Sequence, residues 1–209
     1  MSLRPLTPKA PSLPLATTQY ERRYLDQLNN VLRLYFNQLD NVFSSLFGLT
    51  GGASLQNPLG SFILTTQQTI PVINTAYAIP FNVTAISNQV AIGTSPSHIV
   101  TSIPGYYNFQ FSAQIAKTAG STMSAWVWPR VNGVDVADSN TMLQLTGSSS
   151  SETVAAWNFV LPMNAGDYFE LYWASDRVDV TLKTTAVNAF SPATHPVLLT
   201  ATFVSALYT

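Results

Sequence analysis

The chain of 209 residues carries 9 basic and 10 acidic side chains, 2 His and no Cys, with a formal net charge of −1. This length suits one large domain or one domain with an extension, and the lack of Cys excludes a disulfide framework or a Cys-based metal site. Charged residues make up 9% of the chain against a usual ~25%, so solubility depends on hydroxyl and amide groups. The near-neutral charge gives no electrostatic basis for binding nucleic acid or an anionic membrane.

The sequence also lacks the signals of membrane insertion and secretion. No stretch approaches the ~18 consecutive apolar residues that a membrane helix needs. The N-terminus has prolines where a signal peptide would have its apolar helix. We therefore expect no membrane insertion and no secretion signal.

Residues 1–16 form a Pro-rich segment in which Pro5, Pro8, Pro11 and Pro14 recur at every third position. Three residues per turn is the repeat of the polyproline II helix, which has no internal hydrogen bonds and is extended before it binds. We predict an extended attachment arm that docks on another protein, with a mobile tail as the alternative.

Residues 17–47 are predicted to form an amphipathic helix. Thr18 and Glu21 fit a capping box at its start, and Gly48 marks its end. Spacings of three and four residues alternate along a heptad seam made of Leu25, Leu28, Leu32, Tyr35, Leu39, Val42 and Leu46. We predict an oligomerisation helix that forms a trimeric bundle; the alternative is a helix that packs on its own domain.

Residues 48–60 are rich in Gly, Ser and Asn and are predicted to be a linker. From residue 61 to residue 209, short runs of alternating apolar and polar residues predict β-strands. The clearest run has apolar residues at the odd positions 107–115, and Asn132-Gly133 is a strong hairpin signal. Further strands are expected at 141–145, 152–161, 167–174, 178–184 and 197–207. Many short strands without intervening helices indicate a sandwich or jelly roll.

No charged residue lies between Asp40 and Lys117. Exposed strand edges usually carry charges that prevent pairing with other chains. Without such charges, the strand edges and faces must be protected in another way, and identical neighbouring chains in an oligomer would bury them.

The β region resembles the jelly roll of the C1q and tumour-necrosis-factor family. Gly105, Tyr107 and Phe109 resemble its Gly-x-Tyr-x-Phe signature, and the turn ending in Gly166-Asp167 resembles its L-x-x-G-D element. The other matching segments are 79–81, 131–133 and 198–207. The resemblance implies a mainly β, C1q/TNF-like jelly-roll sandwich and a homotrimer.

The domain carries Phe-Ser-Ala-Gln at 111–114, Val-Asn-Gly at 131–133 and Leu-Tyr-Trp at 171–173. With these segments, the helix segment 32–41 and the Pro-rich start, the chain resembles structural proteins of tailed-bacteriophage virions. The resemblance implies a non-enzymatic virion protein made in the host cytoplasm: a trimeric fibre or capsid-decoration knob. Its arm would bind a capsid or tail protein, and its jelly roll would contact a host-surface glycan or protein, or decorate the capsid. The alternatives are a particle-bound polysaccharide-active enzyme and a bacterial C1q-like adhesion module.

The sequence shows no catalytic or metal-binding motif. His98 and His195 lie in proline-containing loops without the spacing of a zinc site. Asp135 with Asp138, and Asp176 with Asp179, offer oxygen ligands but lack a complete calcium loop, and residues 148–151 are interpreted as a loop tip. We expect no cofactor, no bound metal and no catalytic residue.

Aromatic residues of the β region are the main candidates for ligand contact, because aromatic rings beside amide side chains suit carbohydrate or protein recognition. Their alternation within strands also suits a core or a trimer contact. These residues are Trp126, Trp128, Trp157, Tyr168, Tyr172 and Trp173.

Overall fold

The computed structural model describes residues 11–13, 21–47, 57–147 and 149–207. The chain divides into two units, Met1–Gln56 and Asn57–Thr209. The division falls inside the predicted linker, but the first strand already begins at Leu59, so the end of the linker was predicted too late. No helix within the described ranges is long and apolar enough to cross a membrane.

The first unit contains helix α1, Arg22–Phe47. The carbonyl oxygen of Glu21 accepts hydrogen bonds from the amides of Tyr24 and Leu25 at 3.1 and 3.4 Å. Glu21 is therefore at the N-cap position: its carbonyl oxygen begins the helical hydrogen bonds, but the residue itself precedes the helix. The predicted start at residue 17 or 18 was too early. Thr18 and Gly48, the predicted start and stop signals, both lie outside the described residues, and α1 is described as far as Phe47.

The predicted seam residues lie along α1 with partly buried side chains. Those of Leu28, Leu32, Tyr35, Leu39 and Val42 are half-buried, Leu25 is at the threshold of full exposure, and the side chain of Leu46 lies outside the described part. Half-burial in a single chain leaves apolar surface for a partner. Whether another copy covers it stays a prediction.

Only three residues of the predicted arm are described. Pro11 belongs to them, whereas Pro5, Pro8 and Pro14 lie outside the described residues. Ser12 and Leu13 line a shallow groove together with Gln27, Asn30 and Val31 of α1. This short piece of the arm therefore lies beside the helix.

The described residues of the second unit form β-strands and connecting loops, with no helix among them. The strands are β1 (Leu59–Leu64), β2 (Gln68–Thr69), β3 (Tyr77–Ala78), β4 (Val83–Asn88), β5 (Val90–Ile92), β6 (Ile99–Thr101), β7 (Gly105–Lys117), β8 (Met123–Val131), β9 (Val134–Asp135), β10 (Thr141–Leu145), β11 (Ser151–Met163), β12 (Tyr168–Ser175), β13 (Val180–Leu182) and β14 (Val197–Ser205). The strands expected from the sequence between 105 and 207 are thus all present.

The strands form two antiparallel sheets. Sheet A has the order β2-β13-β7-β14-β1-β4, with β11 paired to β7, and sheet B has the order β10-β8-β12-β6-β5, with β3 on β12 and β9 on β8. The chain crosses from β7 to sheet B, returns to sheet A at β11 and crosses again to β12, as in a jelly roll. The prediction of a mainly β sandwich after one N-terminal helix is confirmed.

The core lies between the two sheets and contains the predicted odd-numbered face of β7. Tyr107, Phe109 and Ile115 are fully buried. Phe109 stacks on Phe169 of β12 with ring centroids 4.1 Å apart. Burial of such aromatic side chains is the main favourable free-energy term for the sandwich.

One buried lysine connects two loops of the sandwich. Lys117 is 1% exposed, and its Nζ donates to the carbonyl oxygens of Gly120, Ser121 and Gly147. It thereby ties the loop after β7 to the loop after β10. The sequence did not predict this role, because the carbonyls come from two separate loops.

Gly105, the glycine of the Gly-x-Tyr-x-Phe signature, lies where β7 meets the irregular end of β14. The register of these strands shifts between Phe203 and Ser205. A Cβ at Gly105 would lie 2.3 Å from Cε2 of Phe203 and 2.7 Å from the carbonyl oxygen of Ser205. No other residue type fits there without displacing the backbone.

We predict that Gly105→Ala lowers the free energy of unfolding by about 1–3 kcal/mol, because the added methyl group overpacks this contact. Chemical denaturation measures the change. Ser112→Ala on the opposite face of the same strand is the control, with an expected change of about 0.5 kcal/mol or less. A Gly105→Ala protein as stable as the control would contradict the packing described for this glycine.

The turn before β12 is held by Asp167, the Asp of the L-x-x-G-D element. Its Oδ2 accepts from the amide of Asn164 at 2.6 Å, and its Oδ1 accepts from Nδ2 of Asn132 at 2.8 Å. Asn132 and Gly133 both have positive φ, as the predicted hairpin turn requires. Burial alone would raise the pKa of Asp167, but the hydrogen bonds from Asn132 and Asn164 outweigh it and lower the pKa.

We predict a pH-dependent loss of stability in Asp167→Asn. Because the pKa of Asp167 is lower in the folded state, the ionised carboxylate stabilises the fold at every pH above the pKa of the unfolded chain, about 4. This stabilisation disappears as the pH falls through the pKa of the folded state. The variant should therefore be less stable by about 1–2 kcal/mol at neutral pH, and the difference should shrink in acid. Denaturation at several pH values measures it.

The matched control is Asp138→Asn, since no hydrogen bond to the Asp138 carboxylate occurs among the described residues. Its stability should follow that of the unaltered protein at each pH. A difference for Asp167→Asn that stays constant from neutral to acidic pH would refute the role assigned to the ionised carboxylate.

Candidate functional site

The outer face of sheet B collects several of the aromatic residues that the sequence singled out. Trp126 and Trp128 alternate along β8 with Ala125 and Val127, which are fully buried in the core. Both tryptophans therefore lie on the outer face, where they are half-buried. Tyr172 of β12 stands opposite Trp128 in the strand register.

An open groove of about 510 Å³ lies over this face. Its volume is within the range of small-molecule sites, roughly 300–1,000 Å³. Its aromatic wall is Trp126 and Trp128, and its other lining residues are Asn74, Ala76, Asp135, Val136, Asp138, Asn140 and Ala174. We call this the sheet B groove. The sequence could not predict it as a unit, because Asn74 and Ala174 come from distant segments.

A hydrogen bond to the ion-paired carboxylate of Asp135 fixes the position of Trp128 in the groove. Its indole Nε1 donates to Oδ1 of Asp135 at 2.6 Å, and the same oxygen accepts from Nε of Arg130 at 2.5 Å. The Arg130 guanidinium lies 3.9 Å from the ring centroid of Tyr172, a cation–π geometry. The hydrogen bond from Arg130, followed by that from Trp128, lowers the pKa of Asp135.

Other polar groups of the groove have no side-chain partner among the described residues. No side-chain hydrogen bond of Asn74, Asp138 or Asn140 occurs among the described residues, and the same holds for the indole N–H of Trp126. These groups supply both donors and acceptors. The groove thus combines an oriented aromatic wall with hydrogen-bonding groups that are free to bind a ligand.

The predicted alternative of a polysaccharide-active enzyme requires a carboxylic acid that keeps its proton until it reaches the leaving group. Asp135 and Asp138 both line the groove. However, Arg130 and Trp128 favour the ionised form of Asp135, which makes Asp135 a poor proton donor. Asp135 is therefore not suited to be the acid of such an enzyme.

The pairs of acidic residues considered for calcium have separate partners. Asp176 Oδ1 accepts from the Ser124 amide at 2.9 Å, whereas Asp179 forms a bidentate pair with Arg177 at 2.7 and 3.0 Å. The described residues contain no group of three or more His, Asp or Glu arranged to hold a metal ion. The loop tip predicted at residues 148–151 is only partly described, because residue 148 lies outside the described residues.

His98 has contacts that the sequence did not predict. Its ring stacks on Tyr168 with centroids 3.8 Å apart, and its Nε2 lies 3.4 Å from Oε1 of the buried Glu170. The Ser97 hydroxyl donates to that same oxygen at 2.8 Å. In a catalytic triad the histidine stands between the serine and the acid. Here Ser97 and His98 both face one oxygen, so this cluster fastens the loop before β6 onto β12.

The second histidine, His195, has no such contacts among the described residues. Nδ1 of His195 is buried and has no hydrogen-bond partner among the described residues. His98 and His195 come from different loops, and the described residues hold no cluster that joins them to other metal ligands.

The remaining tryptophans lie elsewhere. Trp173 is fully buried in the core, so it does not contact a ligand. Trp157 of β11 is half-buried, packs edge-on against Phe111 with centroids 4.8 Å apart, and shares a row with Phe159 and Leu161. This row lines a second groove of about 570 Å³ with residues of the segment 136–141. We call it the β11 groove.

Comparison with known proteins gives a likeness to solved structures. No protein-family model and no curated protein matches the sequence. The chain is similar to the globular domain of the zebrafish complement 1qA protein, with 12% sequence identity, a TM-score of 0.45, and coverage of 72% of this chain and 99% of that one. Membership of the C1q and TNF family and a phage origin remain predictions.

Proposed function

We propose that the chain is a non-enzymatic structural protein of a tailed-bacteriophage virion. Three copies assemble into a knob of β sandwiches, α1 continues the trimer as a helical bundle, and the N-terminal arm attaches it to the capsid or tail. The observation that carries the proposal is the uncharged outer face of sheet A beside the aromatic β11 groove. Such a surface suits burial against identical chains.

The outer face of sheet A combines amide and hydroxyl groups with exposed aliphatic side chains. Gln110 pairs in register with Asn158 of β11 and Thr200 of β14, and Val160 and Leu198 nearby are 55% and 44% exposed. Among the described strands of this sheet, Glu152 is the one charged residue on the outer face, and it is paired with Lys183 at one end. A neighbouring copy would meet this face without desolvating an unpaired charge.

Strand β11 is an edge of sheet A in the single chain, since its one partner among the described strands is β7. The indole N–H of Trp157 on this strand is buried without a hydrogen-bond acceptor. A buried donor that stays unpaired costs about 1–3 kcal/mol. A second copy seated in the β11 groove would protect the edge and could offer the missing acceptor.

Helix α1 supports the same assembly. Its seam is half-buried, while Leu34, Phe36 and Phe43 are each more than half exposed. An apolar surface wider than a two-stranded seam suits a bundle of three or more helices. The arm then precedes the bundle and is placed to bind the particle.

We predict that the full-length protein is a trimer at micromolar concentration. Sedimentation equilibrium measures the mass directly. Val160→Lys should shift the equilibrium toward monomer, because it introduces an unpaired charge into the proposed interface. The matched control, Gln144→Lys on an exposed position of β10 in sheet B, should remain trimeric. A monomeric unaltered protein, or equal assembly of both variants, would contradict the trimer through sheet A.

We also predict that deletion of residues 1–16 abolishes incorporation into virions without dissociating the trimer, because an extended arm contributes little to a core yet can dock on a partner. Labelled full-length and truncated proteins would be compared on purified particles by electron microscopy, which also distinguishes capsid from tail. Equal incorporation of the two forms would rule out attachment through the arm.

A further inference from the structure

We infer that the sheet B groove binds a neutral oligosaccharide. The inference deepens the proposed function, on which it rests for its biological setting, by naming the ligand class and the residues that recognise it. It is drawn from three properties of the groove: its oriented aromatic wall, its unpaired amide and carboxylate groups, and its charge.

The aromatic wall fits the apolar face of a sugar ring. A pyranose presents C–H groups on its faces and hydroxyls around its rim, so an aromatic ring can cover a face while polar groups reach the rim. Trp128 is held before binding by its hydrogen bond to Asp135. A side chain that is already ordered loses little entropy when a ligand arrives.

The polar groups fit the rim of the same ring. Each sugar hydroxyl both donates and accepts hydrogen bonds. When it leaves water, it needs protein groups that accept and donate hydrogen bonds in return. Asn74 and Asn140 each supply an amide with both functions, and Asp138 supplies acceptors. Since none of these side chains has a hydrogen-bond partner among the described residues, a ligand can bind them without breaking contacts of the fold.

The charge of the groove selects neutral sugars over acidic ones. The carboxylate of Asp135 is compensated by Arg130, whereas no ion pair of Asp138 occurs in the described part of the chain. The groove thus holds one uncompensated negative charge, which repels a uronic or sialic acid. A single uncompensated charge is also a weak basis for binding a basic peptide, so this partner is the less favoured one.

The position of the groove is compatible with assembly. It lies on sheet B, whereas the proposed trimer interface uses the outer face of sheet A and the β11 groove. Val136, Asp138 and Asn140 line both grooves, so the loop that carries them separates the ligand from the neighbouring copy. Assembly would therefore support this loop and leave the tryptophan wall open.

Isothermal titration calorimetry on the full-length protein tests the inference. The probes are neutral oligosaccharides of glucose, galactose, rhamnose and N-acetylglucosamine, with oligogalacturonate and tetralysine as the acidic and basic comparisons. We expect binding of at least one neutral probe and none of the charged ones. Failure of every neutral probe at millimolar concentration, or preference for a charged probe, would overturn the inference.

Variants of the groove locate the binding. Trp126→Ala should weaken binding by about tenfold or more through loss of ring contact. Asn140→Ala removes an exposed side chain that has no hydrogen bond among the described residues, and it should weaken binding as well. Phe190→Ala removes an aromatic ring that is 90% exposed and does not line the groove. This control variant should bind the sugar with unchanged affinity. Unaltered binding by both groove variants would place the sugar elsewhere and refute the site.

The outcome for sugar binding is separable from that for assembly. The Val160→Lys variant leaves the groove residues in place, so it can be titrated with the same probes. Sugar binding by a protein that proves monomeric would contradict the proposed trimer alone. A trimer that binds no neutral sugar would contradict this inference alone.

Discussion

A two-sheet sandwich buries one face of each sheet and leaves two outer faces, each of which must be either polar enough to face water or covered by another chain. With charged residues at 9% of the sequence, the chain cannot cover both faces with charges. The outer face of sheet B carries the accessible charges of Arg130 and Asp135, whereas that of sheet A has Glu152 at one end. This unequal distribution is the constraint from which the proposed assembly and the proposed ligand site both follow.

Strand β7 links this distribution to the fold. It pairs with β11 along one side and with β13 and β14 along the other. One face of β7 carries Tyr107, Phe109 and Phe111, which are among the largest core side chains, and the other contributes Gln110 and Ser112 to the outer surface. Gly105 allows β14 to approach closely at the end of the strand. A strand with these two faces stabilises the sandwich and also shapes the surface that a second copy would meet.

Features that depend on neighbouring residues could be predicted from the sequence. The alternation in β7 and the Asn132-Gly133 turn reflect backbone geometry within a few residues, and both were confirmed. The predicted start of α1 was too early, because Glu21 precedes the helix and its carbonyl oxygen is the first acceptor of the helical hydrogen bonds. Local patterns thus defined the strands and turns well, and the ends of elements less well.

Features that depend on the meeting of distant segments could not be predicted. The contact of Ser97 and His98 with Glu170, the bonds of Lys117 to two loops, and the convergence of Asn74 and Trp126 on one groove all require the topology of the sheets. The sequence identified the tryptophans as candidates but could not separate Trp173, which is buried, from Trp126, which lines a groove. Alternation alone assigns a side chain to a face and does not say which face is the core.

The central claim is that the uncharged face of sheet A is an interface between copies of this chain, while sheet B faces outward. A crystal structure of the full-length protein tests it most directly, because it shows which face lies on a symmetry axis. The account predicts three copies around a threefold axis, with Gln110, Asn158 and Thr200 turned toward neighbouring copies and the sheet B groove open to solvent. A structure in which the outer face of sheet A is exposed to solvent, or in which copies meet through the sheet B groove, would contradict it.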